Sequence, residues 1–127
     1  MAKASIQTIN ITSFSYKNGE PKLYKGDLLF SVRNMNHVNR DIQSDYDGRS
    51  KRLQKALFED SYNQDLYQDI IDQIEYHLRR QRPNKINIYI GCVLGRHRSV
   101  ATVCLLQKDL FAKFKRSVIN LSHRELE

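Results

Sequence analysis

No apolar run in this 127-residue sequence approaches the ~20 residues that a membrane-spanning helix needs. The start, Met1-Ala2-Lys3-Ala4-Ser5, leads into alternating polar and apolar residues rather than a signal-peptide core, so a cytoplasmic location without a membrane partner is expected. Cysteine is scarce: Cys92 lies in a glycine-containing stretch and Cys104 in an apolar helical pattern, neither looks like part of an extracellular disulfide framework, and both are read as reduced thiols. His37, His77, His97 and His123 are scattered and no Cys/His pair has zinc spacing, so no metal site is expected. Linkers and internal repeats are missing as well. With 40% hydrophobic and 28% charged residues, the chain is expected to fold as one soluble domain over residues 1–127, with a core that needs no disulfide or metal.

Charge of one sign is what the chain has in excess. Lysine and arginine number 21 against 14 acidic residues, a formal charge of +7 that favours a polyanionic partner. The cations gather in three places: Arg40, Arg49, Lys51, Arg52 and Lys55; then Arg79, Arg80, Arg82 and Lys85; then Lys113, Lys115 and Arg116. Tyr46 and Tyr62 bracket the first group, where they have the chemistry to stack on bases or simply to pack.

Periodicity predicts alternating strands and helices. Residues 5–14 alternate with β-branched side chains and read as a first strand, followed by turn chemistry at Lys17-Asn18-Gly19-Glu20-Pro21. Residues 27–33 form a largely apolar second strand, 34–48 read as a long loop, and 50–58 as a short basic helix. A helix begins near Ser61, whose hydroxyl is expected to cap it while Gln64 closes a capping box. Tyr62, Leu66, Ile70, Ile74 and Leu78, joined by Tyr67 and Ile71, then make one apolar stripe that requires a sheet to cover. Pro83 stops this helix, 86–90 form the next strand, 97–115 a helix with Phe111 among its apolar positions, and 117–121 a last strand. The expectation is an α/β fold: a single open, mainly parallel sheet flanked by helices, with a strand, Gly-rich phosphate loop and helix unit that places a ligand at the carboxyl edge of the strands.

That unit is Gly91-Cys92-Val93-Leu94-Gly95-Arg96-His97-Arg98-Ser99. Amides freed at a helix N-terminus, together with the aligned peptide dipoles, suit a phosphate, and Arg96, Arg98 and His97 add charge. It is neither a Walker A loop, since no Gly-Lys-Ser/Thr ends it, nor a dinucleotide fingerprint, since its glycines have the wrong spacing. Cys92, five residues and then Arg98-Ser99 match the spacing of the cysteine-dependent phosphatase loop, in which a thiolate attacks phosphorus. Such chemistry would also need a general acid, for which Asp27, Asp41, Asp45 and Asp47 are candidates. The alternative for Cys92 is a small buried residue at a strand end.

The stretch Ile90-Gly91-Cys92-Val93-Leu94-Gly95-Arg96-His97-Arg98-Ser99-Val100 resembles the pattern Gly-Cys-x-x-Gly-x-His-Arg-Ser-Val of the RapZ family of bacterial RNase adapter proteins, in their C-terminal domain. Ser13-Phe14-Ser15-Tyr16-Lys17, the segment from Asp27 to Asn34, and the ending His123-Arg124-Glu125-Leu126-Glu127 are similar to further family segments in the same order. Val93 and Leu94 stand where the family commonly has Thr and Gly, and Ser31 where it has Asp. The nucleotide-binding domain that precedes this domain in the family is not expected here, nor is a basic tail.

The resemblance implies a domain that binds structured small RNA and an aminosugar phosphate without a required reaction, presents RNA to RNase E, and associates as a homo-oligomer. Phosphate, sulfate or a phosphosugar is then the expected ligand of residues 91–99, and no cofactor is expected. Ser13, Lys17, Arg33, His123 and Arg124 lie at predicted strand ends facing the same edge, and Arg49, Lys51, Arg52, Lys55, Arg79, Arg80, Arg82, Lys113, Lys115 and Arg116 would follow an RNA backbone. Two other classes stay open: a phosphatase-like enzyme using Cys92 and Arg98, and a phosphosugar sensor without RNA.

Overall fold

The computed structural model describes residues 7–126. Among these, β1 (Gln7–Ser15), β2 (Leu28–Ser31), α1 (Arg40–Asp45), α2 (Lys51–Glu59), α3 (Ser61–Gln81), β3 (Lys85–Cys92), α4 (Arg98–Lys113) and β4 (Ser117–His123) follow in chain order. The strands make one open, all-parallel sheet in the order β2-β3-β1-β4, the α/β class expected from the alternation of periods.

Register sorts the side chains into two unlike faces. Ile9 and Ile11 of β1 lie level with Ile86 and Ile88 of β3 and with Ile119 and Leu121 of β4. Against them pack Leu53 and Leu57 of α2, Ile70, Ile71, Ile74 and Leu78 of α3, and Val103, Leu106 and Leu110 of α4. Each fully buried isoleucine or leucine here contributes about 1.5–3 kcal/mol. The opposite face carries Asn10, Thr12, Asn87, Tyr89 and Ser122, all half-buried, and Asn120, which is exposed. Topology explains the asymmetry. The steps from β2 to β3 and from β3 to β4 both move toward β4, so right-handed crossovers send their helices to one face. The step from β1 to β2 moves the other way and crosses the opposite face without a helix. There Asn120 Nδ2 donates to Asn10 Oδ1 (2.9 Å), Asn10 Nδ2 to Asn87 Oδ1 (3.1 Å) and Asn87 Nδ2 to Asp27 Oδ1 (3.2 Å), a ladder of amides that ties the connection to the sheet.

Several local expectations are corrected. The segment expected as a loop over 34–48 contains α1, capped by Asn39, whose side chain accepts from the Ile42 amide. The cap of α3 is Asp60, not Ser61: its carboxylate takes the Asn63 N–H at 3.0 Å, and Gln64 donates to Phe58 O instead of closing a capping box. Asn63 turns inward, so Tyr62, one residue and about 100° away on the helix, is 48% exposed rather than in the stripe. Phe111, next to buried Leu110, is 57% exposed for the same reason. β2 is shorter than expected, and β4 runs on to His123. β3 continues through Gly91 and Cys92 because they pair with Phe14 and Ser15 of β1. A Cβ at Gly91 would run into the rings of Phe14 and Tyr16. α4 starts at Arg98 and ends at Lys113, inside the expected 97–115. Residues 5 and 6 of the expected first strand, and Glu127 of the terminal motif, lie outside the described residues.

Candidate functional site

Every strand ends at one edge, and the segments that leave those ends are bonded to one another. Ser15 Oγ donates to Val93 O (2.7 Å), and the Tyr16 and Lys17 amides donate to Cys92 O and Val93 O. Val32 N–H reaches Gly91 O at 2.8 Å. Gly95 has φ +71, and a Cβ on it would stand 2.6 Å from Glu125 Cγ and 2.9 Å from the backbone of Phe14 and Ser15. Only glycine allows the turn 93–97 to lie this close to β1.

A cavity of about 260 Å³ opens beside that turn, lined by Cys92, Val93, Leu94, Arg96, His97 and Arg98 together with His37 and Gln43. Among the described residues no carboxylate lines it. Arg98 is only 6% exposed, and its Nη1 donates to two backbone carbonyls, Arg33 O at 2.6 Å and Met35 O at 3.1 Å. Its charge is thus buried with dipoles but without an acid. The amides of Gly95, Arg96, His97 and Arg98 meet no protein acceptor among the described residues. The Ser99 amide, by contrast, points to Cys92 Sγ (3.4 Å), which donates to Ser99 Oγ (3.1 Å). Ser99 is wholly buried and Cys92 2% exposed, so both belong to the floor beneath the turn.

The electrostatics of the cavity follow from this arrangement. Burial, then Arg98, then His97 hold the His37 ring below the usual histidine range. Burial is also the largest influence on His97 and lowers it; the Gln43 carbonyl opposes this, Arg96 lowers it further, and the Tyr46 carbonyl and Asp47 oppose. Burial lowers Arg98 as well, countered by Cys92, yet a guanidinium stays charged in proteins. At neutral pH the described lining therefore holds two cations and two neutral imidazoles, and Asp47, which acts on Arg96 and His97 from outside the lining, is itself paired with Arg49.

A family model described as the RapZ C-terminal domain matches residues 7–127. The chain belongs to this family. Among its relatives, a nucleotide-binding protein of Synechococcus sp. (strain JA-2-3B'a(2-13)) is 36% identical over 106 residues, covering 80% of this chain and 32% of that one. One of Shewanella denitrificans is 35% identical over 126 residues, 93% and 42%. Nucleotide-binding protein YvcJ of Bacillus subtilis is 29% identical over 125 residues, 94% and 40%. The chain spans between 32% and 42% of the length of these curated relatives. No helix among the described residues is long and apolar enough to cross a membrane.

The RapZ-type motif segments all reach the same edge, but in different roles. Ser13 Oγ and His123 Nδ1 share a 2.9 Å hydrogen bond. Arg124 donates from Nη2 to Gly19 O (2.7 Å) and Ser15 O (3.2 Å), and from Nε to Glu125. Arg33 lies 4.1 Å over the Tyr16 ring, and Lys17 is exposed. These five surround the turn without lining the cavity. Sequence reasoning missed His37 and Gln43 as cavity residues, and it missed Asn63, which fixes the segment beside His37. Asn63 Oδ1 accepts from Asn36 N–H (2.7 Å), and its Nδ2 donates to Asn36 O (3.0 Å) and Leu57 O (2.9 Å). The only signal was the length and polarity of 34–48.

The basic clusters separate into two poles. Arg49 pairs with Asp47 at 2.7 Å, and Lys51, Arg52 and Lys55 are exposed on α2, whose approach passes through Gly48, bonded to Arg96 O at 2.8 Å. This group therefore flanks the turn 93–97. Arg79, Arg82, Lys115 and Arg116 instead meet at the amino edge of the sheet. Arg80 lies 6.0 Å from the Tyr76 ring, and Lys113 is paired with Glu75 at 2.6 Å.

Proposed function

We propose that this domain is a cytoplasmic RNA-binding adapter whose turn 93–97 and neighbouring cavity hold a phosphate or the phosphate of a phosphosugar. The observation that carries the reading is the buried Arg98 charge in a cavity that no carboxylate lines among the described residues, beside a turn whose Gly95 to Arg98 amides meet no acceptor there. An anion there would find hydrogen-bond donors already fixed, and it would offset the repulsion from Arg98 and Arg96 that adds to burial in holding His37 and His97 low. Arg96 and Arg98 provide charge, residues 95–98 provide amides, and His37, His97 and Gln43 are placed to read substituents. Ser13, Lys17, Arg33, His123 and Arg124 hold the edge and extend it outward, with Gly91, Cys92 and Ser99 beneath.

Structured small RNA is the proposed macromolecular partner, held by exposed lysines and arginines through phosphate charge and helical shape. The RapZ family membership supports this reading, together with a ribonuclease of the RNase E kind as the recipient of the RNA and self-association into a homo-oligomer. A covalent phosphatase role for Cys92 and Arg98 has weaker support. The thiol is 2% exposed, Arg98 Nη1 is engaged with Arg33 O and Met35 O, and among the described residues no Asp or Glu lines the cavity to protonate a leaving group.

Two measurements test the proposal. A labelled hairpin RNA should bind with an affinity that falls steeply as salt rises; salt-independent binding, or none, removes the RNA reading. Glucosamine 6-phosphate should raise the unfolding temperature, and Arg96→Ala, a change at an exposed residue, should abolish the shift while leaving the unliganded protein as stable as before. Absence of a shift with any phosphorylated sugar or with sulfate would end the reading of the cavity.

A further inference from the structure

At the amino edge of the sheet, roughly 25 Å from the turn 93–97 by the length of nine-residue β1, lies a cleft of about 680 Å³. Its walls are the end of α3, the approach to β3, and the connection from α4 to β4. Leu78, Pro83 and Phe114 give it an apolar floor, and Arg79, Arg82, Lys115 and Arg116 give it a cationic rim. Among the described residues no acidic residue lines it and none of these four cations forms an ion pair. The Arg79 guanidinium lies 4.9 Å over the Phe114 ring, so a base entering the cleft would stack on that guanidinium or take its place on the ring.

We propose that this cleft binds a nucleoside phosphate, with the base against Phe114 and its apolar neighbours and the phosphate on Arg82, Lys115 and Arg116. With a free nucleotide the inference goes beyond the proposed function, and with an RNA strand it rests on the RNA reading and deepens it; in both cases the cleft takes its ligand whether or not the turn 93–97 holds an anion. Two considerations separate it from ordinary surface charge. Cations in the last turn of a helix are favoured by its dipole, which accounts for Arg79 and Arg80 in α3 and Lys113 in α4. It does not require Arg82, Lys115 or Arg116, which lie past the helix ends. Arg82 also occupies the left-handed region, φ 46 and ψ 52, at the position after α3 where glycine is the least strained residue. An arginine held there at a backbone cost is explained by what its side chain does. The carbonyl ends of α3 and α4 oppose an anion in the cleft, and four full charges exceed those partial ones.

The nucleotide can come from two sources, free in solution or as one unit of a single strand of RNA. Isothermal titration calorimetry on the 127-residue protein, with ADP, ribose 5-phosphate, hexaglutamate and a single-stranded oligoadenylate, separates them. ADP is expected to bind, and ribose 5-phosphate, lacking the base, to bind at least roughly tenfold more weakly. An oligoadenylate more than tenfold tighter than ADP assigns the unit to an RNA strand; an equal or weaker one assigns a free nucleotide. Arg82→Gly should raise the unfolding temperature while weakening ADP roughly tenfold. A Lys115→Ala/Arg116→Ala protein should lose ADP binding and keep its stability, and Arg96→Ala at the opposite pole should bind ADP normally. The proposal is overturned if neither ADP nor oligoadenylate binds, if Arg82→Gly keeps wild-type affinity, if ribose 5-phosphate or hexaglutamate matches ADP, or if Arg96→Ala loses ADP binding equally.

Discussion

Asn63→Ala removes one buried amide and, with it, the support of the cavity wall that carries His37. Three hydrogen bonds disappear: Asn36 N–H to Oδ1, and Nδ2 to the carbonyls of Asn36 and Leu57. At about 1 kcal/mol each, the loss is about 3 kcal/mol, from which the better helix propensity of alanine subtracts about 0.5. The bond from Asn63 N–H to Asp60 is main-chain and survives. With a urea dependence of roughly 1.5 kcal/mol per molar, the unfolding midpoint should fall by about 1.5 M with an unchanged slope. Asn63→Asp is the sharper control. It keeps an acceptor for Asn36 N–H but sets a carboxylate against two carbonyls, so at neutral pH it should cost at least as much as alanine. Its folded-state pKa would be raised, so stability should return as pH falls, when the protonated acid can donate. Both variants should also weaken sulfate-dependent stabilisation, because the segment that supplies His37 and accepts from Arg98 is loosened. A midpoint drop under about 0.5 M for alanine would refute the claim that Asn63 anchors this segment.

Two further outcomes follow from the same geometry. Gly95→Ala should cost more than about 2 kcal/mol, since a left-handed φ is combined with approach to backbone atoms that cannot yield, whereas Gly19→Ala, φ +103 with nothing within 4 Å, should cost only about 1 kcal/mol; equal losses in thermal melts would contradict the close packing of the turn on β1. His37 and His97 are both held below 6.5 in the fold, so their neutral forms favour the native state above pH 6.5, and this contribution is lost as pH falls toward their lowered values. Sulfate, whose charge is constant over this range, favours the protonated rings, so it should flatten the loss below pH 6.5 in urea midpoints and bind more tightly as pH falls; a sulfate effect independent of pH would show that neither imidazole faces the anion.

Much of the architecture was legible along the chain. The alternation of β-branched strands with a period-3.6 stripe over Leu66 to Leu78 required an open α/β sheet, because such a stripe has only a sheet face to cover. The motif around Gly95 and Arg98 was legible as well, since glycine, cations and a strand-to-helix change occur together. Local hydrogen-bond competition was less legible. Asp60 displaced Ser61 as a cap because its carboxylate reached the Asn63 amide, and α1 formed in a segment with no apolar periodicity because Asn39 capped it.

The sequence by itself determined the fold class, the family and the turn between β3 and α4, because these depend on residue type and spacing within single elements. Only the tertiary structure decided the rest. It brought His37 and Gln43 to Arg98, sent the Ser99 hydroxyl inward to Cys92, and gathered Arg79, Arg82, Lys115 and Arg116 around one cleft while leaving Arg49 to Lys55 at the other end. The cause is the crossover topology: strands far apart in the chain become neighbours, and helix ends that no local pattern relates must meet at a common edge of the sheet.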